Sequence, residues 1–188
     1  NDKLTAIHNS TRPLSSTAAG AAQVSFVRNG RVLVITEKAT NKIVTYRVNE
    51  WAVPTVMNSI TAANPTPFGF AAGRFGNIYV SEAAGGAPGA STVSSYRISF
   101  DGSISLTDGP VSAAQSAACW VVLSRDGRYA YATNTASNTI SSFNVHPYSG
   151  NLGVLEAIAA TTDMGPIDAD ISANSRYLYV LNSGSNTI

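Results

Sequence analysis

The chain has 188 residues, a formal net charge of +1, 44% hydrophobic residues and 12% charged residues, about half the usual charged share. No run of sequence gathers Lys and Arg, which argues against the phosphate-binding footprint of a nucleic-acid partner. No stretch of about 18 apolar residues exists, so no helix spans a membrane, and the single cysteine, Cys119, excludes an internal disulfide and a Cys-based metal site.

The chain opens at Asn1 without a signal-peptide pattern, and the expectation is a processed, trimmed or partial chain. Low charge and abundant Ser, Thr and Asn favour an extracytoplasmic setting slightly over a cytoplasmic one. Asn9-Ser10-Thr11 has the form of a glycosylation sequon.

In chain order, Lys3-Leu4-Thr5-Ala6-Ile7 reads as a lone outer strand. A repeating unit follows. An apolar run, Gln23-Val24-Ser25-Phe26-Val27, turns through Asn29-Gly30 into Arg31-Val32-Leu33-Val34-Ile35-Thr36-Glu37. A polar loop then leads to Asn41-Lys42-Ile43-Val44-Thr45-Tyr46-Arg47-Val48, and a weaker fourth strand lies around Thr55-Val56-Met57. The second copy runs from Phe68-Gly69-Phe70-Ala71-Ala72 through Asn77-Ile78-Tyr79-Val80-Ser81-Glu82, a Gly-rich insertion at Gly85 to Gly89, Thr92-Val93-Ser94-Ser95-Tyr96-Arg97-Ile98 and Ser103-Ile104-Ser105-Leu106. The third runs from Trp120-Val121-Val122-Leu123-Ser124 through Asp126-Gly127, Arg128-Tyr129-Ala130-Tyr131-Ala132-Thr133-Asn134, Asn138-Thr139-Ile140-Ser141-Ser142-Phe143-Asn144-Val145 and Leu152-Gly153-Val154-Leu155. The fourth has Asp168-Ala169-Asp170-Ile171-Ser172 and Arg176-Tyr177-Leu178-Tyr179-Val180-Leu181-Asn182, and Asn186-Thr187-Ile188 opens a third strand.

Aligned on Val34, Tyr79, Tyr131 and Tyr179, the copies are 45, 52 and 48 residues apart, a spacing typical of stacked or radial repeats. Asn-Gly and Asp-Gly between β-rich runs are strong hairpin signals. No segment sustains a 3.6-residue apolar period, so essentially no helix is expected. Four antiparallel strands repeated radially make a propeller blade, which hides strand edges that a flat stack would leave open. The expected class is therefore all-β, a β-propeller with about four blades represented. Residues 1–19 form an outer strand of a preceding blade, 20–64, 65–115 and 116–164 form three blades, and 165–188 a partial one. Part of a larger ring and a closed four-bladed ring both fit this inventory. The barely begun last strand counts against closure, and a half-ring completed by a second copy is a further arrangement.

Gly-Arg-Tyr-x-Tyr-Ala-Thr-Asn at 127–134, followed by Asn-Thr-Ile-Ser-Ser-Phe-x-Val at 138–145 and the Ser149-Gly150-Asn151-Leu152 turn, resembles the lactonase family of seven-bladed β-propellers. That family includes propeller-type 6-phosphogluconolactonases, carboxymuconate cyclases and the related Tyr-Val-Thr-Asn repeat proteins. The stretch from Val34 to Ile43, Pro67-Phe68-Gly69-Phe70 and Ala117-Ala118-Cys119-Trp120-Val121 look like its carboxymuconate-cyclase-like branch. The resemblance implies seven blades, of which this chain represents about half, and a metal-independent enzyme acting on a small sugar-acid or dicarboxylate lactone. A fold shared with a family does not by itself fix function. A non-catalytic propeller recognising a protein or glycan through its mouth loops is the alternative.

Glu37, Glu82, Asn134 and Asn182 share one place, the end of the second strand, where the loops of one face meet the channel mouth. Period-two alternation sets Gln23 and Ser25, Phe68 and Phe70, Trp120 and Val122, and Asp168 and Asp170 on matching faces, taken here as the channel face. On this reading Asp168, Asp170, Glu37 and Glu82 form an acidic mouth. A carboxylate beside Phe68, Phe70 or Trp120 has the setting for a raised pKa and for acid–base work on a lactone, with Glu82, Asp168 and Asp170 as proton carriers. Glu37, Lys38, Phe68, Trp120, Asn134 and Asn182 are the candidate substrate-binding residues, with Lys38 and Lys42 able to attract an anionic ligand. The bland alternative has these side chains capping loop amides or lining a watery channel. Facing carboxylates are also a donor set for Ca²⁺ or Mg²⁺, although no cofactor is expected. His8, His146 and Arg74 are placed away from the chemistry. Cys119, at the start of an inner strand, could meet substrate but reads first as a buried inert thiol. No nucleophile elbow, P-loop or zinc-binding His motif is present.

Overall fold

The computed structural model describes residues 3–188. Each hairpin signal becomes a two-strand turn, and each apolar run becomes a strand. The first blade is β1 (Ala21–Val27), β2 (Val32–Glu37), β3 (Lys42–Val48) and β4 (Pro54–Thr61). The second is β5 (Pro67–Ala72), β6 (Asn77–Glu82), β7 (Thr92–Ile98) and β8 (Ile104–Ser112). The third is β9 (Ala118–Leu123), β10 (Tyr129–Asn134), β11 (Thr139–Val145) and β12 (Leu152–Thr161). Each is an antiparallel sheet whose strands lie side by side in chain order. β13 (Pro166–Ile171) and β14 (Leu178–Asn182) form a two-stranded sheet, and beyond it Thr187 makes only a bridge to Asn182. Among the described residues the only helical turns are the 3-10 segments Arg74–Gly76 and Ala84–Gly86.

The inner strands β1, β5, β9 and β13 neighbour one another in succession, as do the outer strands β4, β8 and β12. That is the radial order of a propeller. Apolar faces meet between blades. Val32, Val34 and Ile43 of the first blade pack on Phe70, Ile78, Val80 and Tyr96 of the second. Tyr79 and Val93 of the second pack on Val121, Ala130, Ala132 and Phe143 of the third. The far face of the first blade keeps a smaller cluster of Ile35, Val44 and Tyr46.

Lys3 to Ile7 form no strand. The segment that follows lies against the first blade through side chains: the Tyr46 hydroxyl donates to the Pro13 carbonyl, and the Ser15 amide donates to Glu37 Oε1 at 2.9 Å. The outer strand expected from 1–19 is thus replaced, over the described residues, by an irregular segment. The fourth strands extend further than their weak apolar signal suggests, because each pairs along nearly the whole length of the third strand.

Candidate functional site

The strand pairings fix which residues are equivalent in successive blades. Opposite Thr36 lies Gln23, and opposite Leu181 lies Asp168. Pro67 pairs with Glu82 as Ala118 pairs with Asn134, and Phe70 pairs with Val80 as Val121 pairs with Ala132. Gln23, Gly69, Trp120 and Asp168 therefore share one position, and Ser25, Ala71, Val122 and Asp170 share the next equivalent one. This corrects the matching of Phe68 and Phe70 with that face. Every inner strand carries the same register shift near its start. The hairpin joining Ala71 to Tyr79, however, is one residue shorter than those joining Ser25 to Val34, Val122 to Tyr131 and Asp170 to Tyr179, so an equal count back from the repeat phrase lands on Phe70 instead of Ala71. Phe70 belongs to the core between the first two blades, at 3% exposure.

The absence of a side chain at Gly69 has a direct consequence. A Cβ there would lie 2.9 Å from Trp120 Cε3 and 2.6 Å from the Cys119 carbonyl oxygen. Only glycine lets the third blade's inner strand and its indole come this close to the second. On the other side of the second blade, the Gln23 side chain binds the Phe70 peptide from both ends: Nε2 donates to the carbonyl at 3.0 Å, and Oε1 accepts from the amide at 2.7 Å. Thr36 and Ser81, at equivalent positions, donate across to the Phe68 and Cys119 carbonyls. Inner strands are thus fixed to their neighbours by polar contacts, which holds the central residues in place.

Trp120, Val122, Asp168, Asp170, Tyr179 and Leu181 line a groove of about 510 Å³ between the third blade and the two-stranded sheet. Both aspartates are exposed. Asp168 accepts from the Ala169 amide at 2.8 Å and Asp170 from the Ile171 amide at 2.7 Å, which leaves each carboxylate with open acceptor positions. Arg125 lies 3.9 Å from Asp170 across exposed surface and donates to the Ile171 carbonyl at 2.7 Å. Of the residues singled out from sequence, Trp120, Asp168 and Asp170 come together here. Tyr179 and Leu181 complete the groove, with Arg125 beside Asp170 outside its lining, and none of the three is a site residue on the sequence reading. Tyr179 lies at the centre of the repeat phrase, a position that faces a neighbouring blade in the earlier repeats.

The four residues at the ends of the second strands sit elsewhere. Glu82 is fully buried and accepts from the hydroxyls of Thr92 (2.7 Å), Ser94 (2.7 Å) and Tyr96 (2.8 Å). Burial pushes its carboxyl above the ordinary value, against the opposing pull of those three bonds. Burial and the neighbouring Glu82 push the Tyr96 hydroxyl up in turn. Asn134 occupies the same place in the third blade and donates to Thr139 at 3.2 Å and Ser141 at 2.9 Å, while Asn182 donates to Thr187 at 3.3 Å. Glu82 and Asn134 tie the end of the second strand to the third strand of the same blade, and Asn182 ties it to the bridging residue Thr187.

Glu37 is also buried but receives Ser15 and Thr40 instead. Burial alone would raise its carboxyl. The bonds from Ser15 and Thr40, with Lys42 nearby, outweigh burial and hold it below the ordinary value. Glu37 and Glu82 are thus enclosed within their own blades and not joined to Asp168 and Asp170 in one open acidic cluster.

Lys38 Nζ stands 4.7 Å from the centre of the Phe68 ring, a cation–π pair at the junction of the first two blades. Cys119 is buried and its thiol is pushed up by burial, with Thr135 and Lys38 pulling the other way. His8 is exposed on the irregular N-terminal segment, and His146 Nδ1 accepts from the Ser149 amide at 3.1 Å in an outer turn. Among the described residues, no three His, Cys, Asp or Glu side chains gather as a metal site would require. The Gly-rich insertion is braced: Gly85 N donates to Thr66 Oγ1 at 3.0 Å and Gly89 N to Ser116 Oγ at 2.9 Å.

Comparison with known proteins agrees with this architecture. No curated protein matches the chain. Among solved structures, a protein from Bacteroides uniformis assigned as a 6-phosphogluconolactonase superposes with a TM-score of 0.71 at 21% identity, covering 88% of this chain and 48% of that one. The periplasmic gluconolactonase of Pseudomonas aeruginosa superposes at 0.64 with 14% identity, covering 88% and 43%. The nidogen/laminin complex gives 0.59 at 12% identity, covering 86% and 55%. At these identities the likeness is one of fold, and the chain spans about half the length of these relatives. A sequence model described as the lactonase, 7-bladed β-propeller family matches residues 90–188. With more than half of its residues matched by that model, the chain belongs to the seven-bladed β-propeller lactonase family.

Proposed function

We propose that the protein opens a small sugar lactone in the groove between the third blade and the two-stranded sheet. The observation that carries this reading is the meeting of Trp120 and Tyr179 with two exposed carboxylates, Asp168 and Asp170. Aromatic faces suit the apolar side of a sugar ring, and carboxylates accept hydrogen bonds from its hydroxyls. One aspartate takes a proton from the attacking water as its oxygen bonds to the lactone carbonyl carbon. The ring ester C–O bond then breaks, and the same carboxyl returns the proton to the leaving oxygen. Two carboxylates against one guanidinium favour an uncharged polyhydroxy lactone over a phosphorylated or dicarboxylate one. The gluconolactonase and 6-phosphogluconolactonase neighbours support the reaction class.

The test is hydrolysis of δ-gluconolactone followed by pH-stat against the spontaneous rate. Asp168→Asn and Asp170→Asn are expected to include one variant that loses about 100-fold or more. Turnover that survives both changes overturns the reading. The alternative of a non-catalytic glycan-binding propeller rests on one observation, that neither His8 nor His146 lies at the groove. Saturable binding of the sugar without turnover would favour it.

A further inference from the structure

The end of the molecule opposite the ends of the second strands carries a feature that the linear sequence hides. In a four-stranded meander, the turns joining first to second and third to fourth strands emerge at the same end. Those turns and the adjoining strand ends hold eight of the chain's twelve basic residues, and all eight are arginine. The acids on the same turns and strand ends are Glu50, Asp101, Asp126 and Asp170. A chain with a net charge of only +1 is therefore strongly positive at this end. The absence of a Lys/Arg cluster holds along the sequence but not in space.

Three of the arginines have structural duties. Arg28 donates to the Ile98 carbonyl of the next blade at 2.6 Å, Arg97 to the Tyr148 carbonyl at 2.7 Å, and Arg125 to the Ile171 carbonyl at 2.7 Å. Arg128 lies 3.9 Å from Asp126. Arg31, Arg47, Arg74 and Arg176 are exposed, and among the described residues their guanidinium groups make no hydrogen bond or ion pair.

An independent pattern accompanies the charge. Each complete blade places one exposed aromatic on its third turn: Trp51 at 70%, Phe100 at 56% and Tyr148 at 67% exposure. Phe75, on a first turn, is 48% exposed and stacks on Tyr148 with ring centroids 4.7 Å apart. Solvent-facing turns favour Gly, Asn, Asp, Pro and Ser, so an aromatic repeated at the tip in three blades is not explained by turn chemistry.

From this end we infer a docking surface for an anionic lipid bilayer. Arginine forks match lipid phosphates, and Trp, Tyr and Phe at loop tips are the side chains that settle at the headgroup level. Recesses between the tips suit headgroups. One of about 790 Å³ is lined by Arg31, Arg47, Trp51 and Phe100, and one of about 520 Å³ by Arg28, Arg74 and Phe75. The same geometry disfavours a single-stranded nucleic acid, which needs free ring faces for its bases. Phe75 and Tyr148 cover each other, and the Arg28 guanidinium lies 4.6 Å from the centre of the Phe100 ring. A bilayer needs only that the tips project together, as the turns of radially repeated blades do.

The test is flotation of the full chain with phosphatidylcholine vesicles, with and without phosphatidylglycerol. Binding is expected only to the anionic vesicles, and high salt is expected to weaken it. The triple change Arg31→Gln, Arg74→Gln and Arg176→Gln removes no intramolecular bond of those side chains and is expected to weaken binding on the order of 100-fold. In a Trp120→Phe background, Trp51 is the remaining indole. Its emission is expected to shift blue on vesicles and to be quenched by brominated lipid. Circular dichroism confirms that the variants are folded. No binding to anionic vesicles, equal binding to neutral ones, or unchanged binding by the triple variant overturns the proposal. So does an oligonucleotide or acidic polysaccharide that binds at a concentration where the vesicles do not.

Discussion

Glu37 and Glu82 hold the same place in successive blades, yet their surroundings push them in opposite directions. Around Glu82, burial outweighs the three hydroxyl donors, so the folded state holds the proton more tightly than the unfolded chain does. Its ionisation therefore works against folding. Stability declines as pH rises from the ordinary value of 4.5 through the raised one, and is level above it. Around Glu37, Ser15 and Thr40 outweigh burial, so the carboxylate form is favoured. Its contribution is complete above 4.5 and is lost as pH falls through the lowered value. Urea unfolding across this range separates the two. Glu82→Gln is expected to remove the decline on the alkaline side and to stay within about 1 kcal/mol of the parent at neutral pH. The third blade already uses an amide, Asn134, at this place, and has Phe143 where Tyr96 donates in the second. Glu82→Ala, which leaves a cavity and strands three hydroxyls, is expected to cost about 2–4 kcal/mol. Glu37→Gln is expected to flatten the acid side instead. An unchanged slope in either glutamine variant refutes the assignment for that residue.

At the scale of strands, the contact between β5 and β9 shows what could be read from the sequence and what could not. The repeat phrase, the Asp126-Gly127 turn and the alternation in β10 and β11 were legible because hydrophobic period and turn chemistry act locally. The register of Pro67 to Phe70 was not, because the second blade's first hairpin is one residue shorter than the others, which leaves composition unchanged while moving every side chain of β5 to the other face relative to a count from the repeat phrase. The same lack of locality hid the groove, since Tyr179 and Trp120 belong to different repeats. It hid the arginine face too, which is a relation among turns far apart in the chain. In the sequence Gly69 is only one small residue inside an apolar run. Its role is specific: it occupies the position held by Gln23, Trp120 and Asp168 and makes room for the indole. Gly69→Ala is expected to displace Trp120 and to destabilise the fold by about 1–3 kcal/mol, since the Cys119 carbonyl behind the indole is backbone and yields little. Near-ultraviolet circular dichroism of the indole and thermal unfolding report the two effects. A variant with parental spectrum and stability shows that the two strands are not held as closely as described.

For the whole molecule, the contrast is between a blade face that is covered and one that is not. Tyr79 sits 1% exposed because the third blade packs on it, whereas Tyr179, at the equivalent place in β14, is 58% exposed. Tyr177 and Leu181, on the same side of that strand, are 60% and 43% exposed, and Ile188 is 84% exposed. Blades of this kind bury one face against a neighbour, so the β13–β14 sheet of the 188-residue chain presents to water the surface that earlier repeats hide. An apolar dye such as ANS, whose emission rises on apolar surfaces, reports this directly. The folded chain is expected to bind it in the absence of denaturant. Tyr179→Ser with Leu181→Ser is expected to remove most of that signal, while Leu106→Ser on the outer edge of the second blade, 45% exposed, leaves it unchanged. Because both altered side chains on β14 are already exposed, the double variant is expected to unfold within about 0.5 kcal/mol of the parent. Loss of dye binding then marks the open blade face and not a change in folding. Dye binding that persists in the double variant would place the apolar surface elsewhere on the ring.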